Sequence, residues 1–277
     1  INTACHFGME RELGSITPGR RADFIVTSSI DDLPIETVFA RGECIAENGK
    51  LLTKCPHYEW PQSVRETVNL GKKLKRKDFV ISAPTGLSPV KAKVIGVIEN
   101  QAPTKALEFD LPVEQGEVQL VGDVCHLSLV ERHRGTGAVV NGFVSGFGYT
   151  GSMAIASSVA HDSHHMIVVG TNQGMMASAA NRLGEVGGGV SVWKDGAEVA
   201  RVELPIAGLM SDSKASEVAV RAQAIVSAMI DCGCTLNNAY MQHTLLALVV
   251  IPELRISDLG LVDVNRFELT EVLEPNF

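Results

Sequence analysis

The chain has 277 residues, 45% hydrophobic and 20% charged, with a formal net charge of −8. That length suits one large domain or two ordinary ones around a real core. The acidic balance argues against nucleic-acid or membrane-surface partners, and no apolar run approaches the ~20 residues that a bilayer span needs.

Taken in order, Ile1-Asn2-Thr3-Ala4 reads as the entry to a helix within 1–13, with Asn2 or Thr3 able to cap it. A start at Ile1 points to the C-terminal part of a longer polypeptide, and no stretch reads as a signal peptide. Residues 14–53 read as a small β-sheet with strands at 22–26, 37–40 and 43–46. Asn48-Gly49 is a tight-turn signal, and one face of so short a sheet needs cover. Residues 54–78 read as a linker broken by Pro56 and Pro61, with the basic run 72–77 as a solvated connector. The cysteines at 5, 44, 55, 125, 232 and 234 are too sparse for a disulfide scaffold, which suits a reducing cytoplasm. Cys232-Gly-Cys234 lacks the second pair that a zinc site would need.

A second domain is expected over 79–277. Strand-like segments lie at 94–98, 105–109, 118–121 and 124–130, with His126 and His133 as ordinary, partly exposed histidines. Gly146-x-Gly148-x-x-Gly151 formally matches a dinucleotide fingerprint, but Ser- and β-branched-rich sequence follows it where a helix should open. Further on, 172–186 has helical spacing, Asn172 to cap it and Gly187-Gly188-Gly189 to end it. Asp195-Gly196 predicts a hairpin between 190–193 and 199–204, and 213–229 reads as an amphipathic helix.

The densest chemistry is His161-Asp162-Ser163-His164-His165, directly before the apolar run 166–169, which reads as a buried strand. If the cluster were extended, His161, Ser163 and His165 would share one face, opposite Asp162 and His164. Adjacent residues make a poor Ser-His-Asp triad, and a metal here would need ligands from elsewhere. The alternative is a polar turn whose side chains bond to backbone.

Two sets of residues carry a resemblance. Gly14-x-Ile16-x-Pro18-Gly19-x-x-Ala22-Asp23-Phe24-Ile25-Val26, then Val38-Phe39-x-x-Gly42 and Asn48-Gly49, resemble the closing segment of the amidohydrolase superfamily. Asn2-Thr3-Ala4 with Phe7-Gly8-Met9 resembles the helix after that superfamily's eighth barrel strand. Ile155 to His164, Ile167-Val168-Val169-Gly170-Thr171-Asn172, Asn181-Arg182-Leu183, Gly187-Gly188-Gly189, 204–211 and Ile251-Pro252-Glu253-Leu254-Arg255 resemble bacterial, amidohydrolase-type adenine deaminase.

The resemblance implies a mixed α/β fold. Return strands of the amidohydrolase β-sandwich would come first, then a layered α/β domain, with the TIM barrel outside this chain. It implies hydrolysis of adenine to hypoxanthine and ammonia in purine salvage. The divalent metal, manganese or iron, would be bound by the barrel half. The implied partners are adenine, the barrel half and further copies of the chain, in the cytoplasm. No catalytic residue or metal ligand carries over. His161, Asp162, Ser163 and His164 are expected to lie over the barrel mouth as substrate-binding or supporting residues. Asp162 would accept amine hydrogens or orient an imidazole, while Ser163 and His164 would bond ring nitrogens. Two other classes of function remain open: a non-catalytic assembly domain, and a nucleotide-binding module on 146–151.

Overall fold

The computed structural model describes residues 1–54, 56–83 and 86–274, so Cys55 and the last residues of the expected second domain, 275–277, lie outside the described residues. The chain divides into two compact units, Ile1–Glu59 and Trp60–Phe277.

In the first unit a single turn of helix, α1 (Asn2–His6), is followed by β1 (Phe24–Thr27), β2 (Ile35–Ala40), β3 (Glu43–Glu47) and β4 (Lys50–Leu51). These strands make an antiparallel sheet in sequence order, with Phe24 and Phe39 stacked across it. The helix is shorter than the 1–13 reading, and its N-cap is Ile1 without a side-chain bond, not Asn2 or Thr3. Arg41-Gly42 and Asn48-Gly49 turn the chain at positive φ, as the sequence required. No described residue of this unit is fully buried, and Ile16, Ile25, Ile30, Leu51 and Leu52 are exposed.

The second unit opens with α2 (Gln62–Arg65) and a 3-10 turn, Arg76–Phe79. Its strands begin with β5 (Val90–Val97), β6 (Thr104–Leu111), β7 (Val113–Glu114), β8 (Glu117–Val118), β9 (Cys125–Val130), β10 (Val139–Ser145), β11 (Met153–Ser157) and β12 (Met166–Gly170). Helix α3 (Gln173–Val186) leads to the hairpin β13 (Gly189–Lys194) and β14 (Ala197–Glu203), then to α4 (Ala215–Asp231) and α5 (Ala239–Leu245). The strands β15 (Leu254–Ser257), β16 (Gly260–Asp263) and β17 (Glu268–Thr270) make a small separate sheet.

One sheet of eight strands, in the order β14-β13-β11-β12-β9-β10-β5-β6, organises this unit. Every neighbouring pair is antiparallel except β5 with β10. Side chains alternate across the pleat. Ala154, Ala156, Met166 and Val168 therefore pack on α3 through Met176, Ala180 and Leu183. Ile155, Ile167, Val169, Val190 and Val192 face the other way, into the cluster that holds Ile225 and Met229 of α4. The result is helix, sheet and helix in three layers, the mixed α/β architecture expected.

The caps follow the sequence: Asn172 accepts the Met175 amide, and Gly187 ends α3 in the left-handed conformation. Three expectations need correction. Leu70 and Leu74 are 8% and 2% exposed, packed under α3, so 60–78 belongs to the second unit and is not a separate linker, although the basic side chains of the run 72–77 are exposed as expected. The strand expected over 118–121 is confined to Glu117–Val118. His126 is 3% exposed, and its Nε2 accepts from the Gln173 amide, so it is a core histidine.

Candidate functional site

Residues 159–165 are a turn between β11 and β12 rather than a strand, so the alternation that would group His161, Ser163 and His165 does not apply. Both flanking strands are wholly buried, which fixes the ends of the turn. Inside it, the His164 amide donates to the Ala160 carbonyl at 2.7 Å, and the Ala160 amide donates to His164 Nδ1 at 3.2 Å. His164 itself sits at φ +50°. The His161 amide donates to the Thr244 carbonyl at 3.0 Å, and its ring lies edge-on to that of His164, 5.2 Å away.

From the far side of β12, the end of β9 reaches the same turn. Arg132 is 1% exposed and its guanidinium donates to three carbonyls: His164 at 2.6 Å, Thr67 at 3.2 Å and Ala207 at 3.2 Å. His133 Nε2 donates to the Ser163 carbonyl at 2.8 Å, which sets its tautomer, because a carbonyl only accepts. The Glu131 carboxylate accepts from the amides of His133, Arg134 and Thr136 and from the Thr136 hydroxyl.

These environments set the charges. Burial pushes the Arg132 guanidinium down to about 10, which still leaves it protonated at neutral pH. Burial works against the Glu131 carboxylate, but the bonds it accepts outweigh this and hold its pKa at about 2. Burial lowers His164, and the neighbouring His161 and Arg132 charges lower it further. Burial likewise lowers His165, whose Nε2 is 3.6 Å from Asp258. Both shifts favour the neutral imidazole at His164 and His165, beside the fixed positive charge of Arg132.

The four expected site residues separate into two kinds. His164 is half-buried and bonded to backbone, as the polar-turn alternative holds, which leaves only Nε2 for a ligand. Asp162 and Ser163 are exposed, and among the described residues neither side chain has a hydrogen-bond or ion-pair partner. His161 is half-buried with its ring nitrogens likewise unbonded among the described residues. Among the described residues no three His, Cys, Asp or Glu are arranged to hold a metal ion. Sequence reasoning passed over Glu131 and Arg132 and took His133 as ordinary. The run Glu131-Arg132-His133-Arg134, directly after the strand-like segment 124–130, was the signal.

The glycine fingerprint is not a nucleotide loop. Gly151 leads into β11 and not into a helix. The amides that would face a phosphate are already used: Gly146 and Gly148 donate to Asp123 at 2.6 and 2.7 Å. Cys232 and Cys234 are buried in the apolar core, where burial raises both thiols. No helix among the described residues is long and apolar enough to cross a membrane.

The family model of the adenine deaminase C-terminal domain matches residues 101–268, which include Arg132, His133, the turn at 161–165 and Arg255. The chain belongs to the adenine deaminase family. Adenine deaminase of Ruegeria pomeroyi is 68% identical over 99% of this chain and 46% of its own length. That of Paracoccus denitrificans is 66% identical over 99% and 45%. The Moorella thermoacetica adenine deaminase is 41% identical over 99% and 46%. The chain therefore spans about half the length of the curated adenine deaminases it matches, as their C-terminal portion.

Proposed function

We propose that the chain is the C-terminal part of an adenine deaminase and that residues 161–164 form a substrate-side loop over a centre housed in the preceding half. The observation that carries this is the contrast within the turn. Its backbone is held at His161, Ser163 and His164 by bonds from other segments, while the Asp162 carboxylate and Ser163 hydroxyl are exposed with no described partner. Rigid backbone presenting unused polar groups is what ligand recognition needs.

In the reaction proposed, adenine and water give hypoxanthine and ammonia. Asp162 accepts hydrogens of the purine amine, Ser163 bonds a ring nitrogen, and His164 donates from Nε2. The divalent metal, manganese or iron, belongs to the barrel half. The residues described here do not fit a metal site, so no step is assigned through one. The uncovered apolar side of the first unit suits completion by the rest of an amidohydrolase β-sandwich.

Asp162→Ala in the full-length protein is expected to cut turnover at least about tenfold, the loss of one interaction worth ~1.4 kcal/mol in the transition state. Adenine in crystals of that protein should touch the loop. Unchanged kinetics with adenine remote from 161–164 would remove the reading.

A second reading rests on α4, where Val220, Val226 and Ile230 are exposed. In it the chain is an assembly domain that pairs copies through this helix. Ile230→Glu would then lower the oligomeric state while Asp162→Ala stayed silent.

A further inference from the structure

The sequence Glu131-Arg132-His133 acts on the loop as one piece. Glu131 accepts three amides and a hydroxyl from the residues just after it, which closes the 131–136 turn and aims the two side chains between. Arg132 and His133 then bond two consecutive loop carbonyls, those of His164 and Ser163. These are the peptide groups that directly follow Ser163 and His164, one and two residues beyond the exposed Asp162.

We infer that Arg132 and His133, set by Glu131, are positioning residues that hold Asp162 and Ser163 in the geometry the substrate requires. The inference rests on the proposed substrate contact of that loop.

The choice of side chain supports it. A guanidinium has a planar fork of donors that can reach three carbonyls on three segments at once, whereas an ammonium is a single, strongly hydrated point. Room is made for it: a Cβ on Gly208 would lie 2.8 Å from Arg132 Nη1. Among the described residues Arg132 has no carboxylate in ion-pair contact, so its buried charge is satisfied by carbonyls alone. An apolar residue would fill that space at less cost in desolvation, so the charge is kept for where it points. The other end of the loop has a similar anchor. His161 donates to Thr244, and the next carbonyl, Leu245, accepts from Arg255 at 2.9 Å. Arg255 is 1% exposed and, among the described residues, also bonds only carbonyls, including those of Ala102, Ile251 and Pro252.

The test is a double-mutant cycle in the full-length protein, with kcat and KM for adenine and the melting temperature measured for each variant. Arg132→Met and His133→Ala are each combined with Asp162→Ala, and Arg132→Lys is the conservative comparison. Arg132→Met is expected to lower kcat/KM about tenfold or more, with Arg132→Lys recovering only part of it. Combined with Asp162→Ala, it should cost no more than about a further twofold, because residues acting through one contact do not add. Should Arg132→Met fail to fold, the exposed His133→Ala carries the same comparison. Losses that multiply with Asp162→Ala, or wild-type kcat/KM in both positioning variants, would overturn the inference while leaving the loop's substrate role intact. A silent Asp162→Ala would overturn that role, and this inference with it.

Discussion

The carboxylate of Asp123 accepts the backbone hydrogen of Gly148 at 2.7 Å, and its other oxygen takes that of Gly146 at 2.6 Å. A side chain from the loop before β9 thus occupies the amides of a glycine run that reads, in one dimension, as a phosphate cradle.

Asp123→Ala should leave two half-buried amides without their acceptor, at a cost of about 1–3 kcal/mol. The full-length protein's thermal transition for this domain should fall, and dinucleotide should raise it in neither form. A dinucleotide-dependent rise in the unsubstituted protein would contradict the assignment of these amides.

Glu131 predicts an acid limb. Its ordinary value is near 4.5 and its folded value is about 2, so the unfolded chain binds the proton first as pH falls. Its contribution is full above pH 4.5 and is lost progressively toward pH 2. Glu131→Gln should flatten stability against pH across that window, read from urea midpoints. An unchanged slope would show that the four donors do not hold a carboxylate.

His243 predicts the same sign from the opposite charge. It is fully buried with both ring nitrogens unpartnered among the described residues, and burial pushes it from 6.5 down to about 3. The unfolded chain gains this proton below pH 6.5, so stability falls from there toward pH 3. His243→Leu should be neutral or stabilising at pH 7, since an unsatisfied polar ring is replaced by an apolar group. Its advantage should widen at pH 5, by melting temperature. A large loss at both pH values would mean that the imidazole has a partner.

Gly189 tests the support beneath the loop. It sits at φ +137°, and a Cβ there would lie 2.0 Å from the Val202 carbonyl across the hairpin. Ser158, which leads into the loop, bonds to both the amide and the carbonyl of Gly189. Gly189→Ala should cost more than about 2 kcal/mol, because backbone must move. Hydrogen exchange should rise in β11 and β13 together; protection unchanged in both would refute the close approach.

Much of this protein was legible along the chain because its signals are local. Asn172 caps α3 and Gly187 ends it, through bonds to residues within the same helix. Asp195-Gly196 turns β13 into β14 with both residues at positive φ, a requirement that the dipeptide itself meets. The polar cluster at 161–165 was visible as unusual density beside a core strand, and its place directly before that strand followed from the apolar run 166–169.

The roles within that cluster belong to long-range contacts, on which a linear reading is silent. Arg132 meets carbonyls 32, 65 and 75 residues away, and Asp123 meets amides 23 and 25 residues away. The sequence by itself determined local elements such as α3, α4 and the β13–β14 hairpin, and where polar groups gather, because backbone propensity, capping and turn chemistry are properties of neighbours. Only the tertiary structure decided which of those groups are consumed by the protein, as in His164 and the glycine amides. It also decided which are left exposed and, among the described residues, unbonded, as in the side chains of Asp162 and Ser163. A donor's partner is chosen by packing in three dimensions, and only what remains unpartnered is free to meet a substrate.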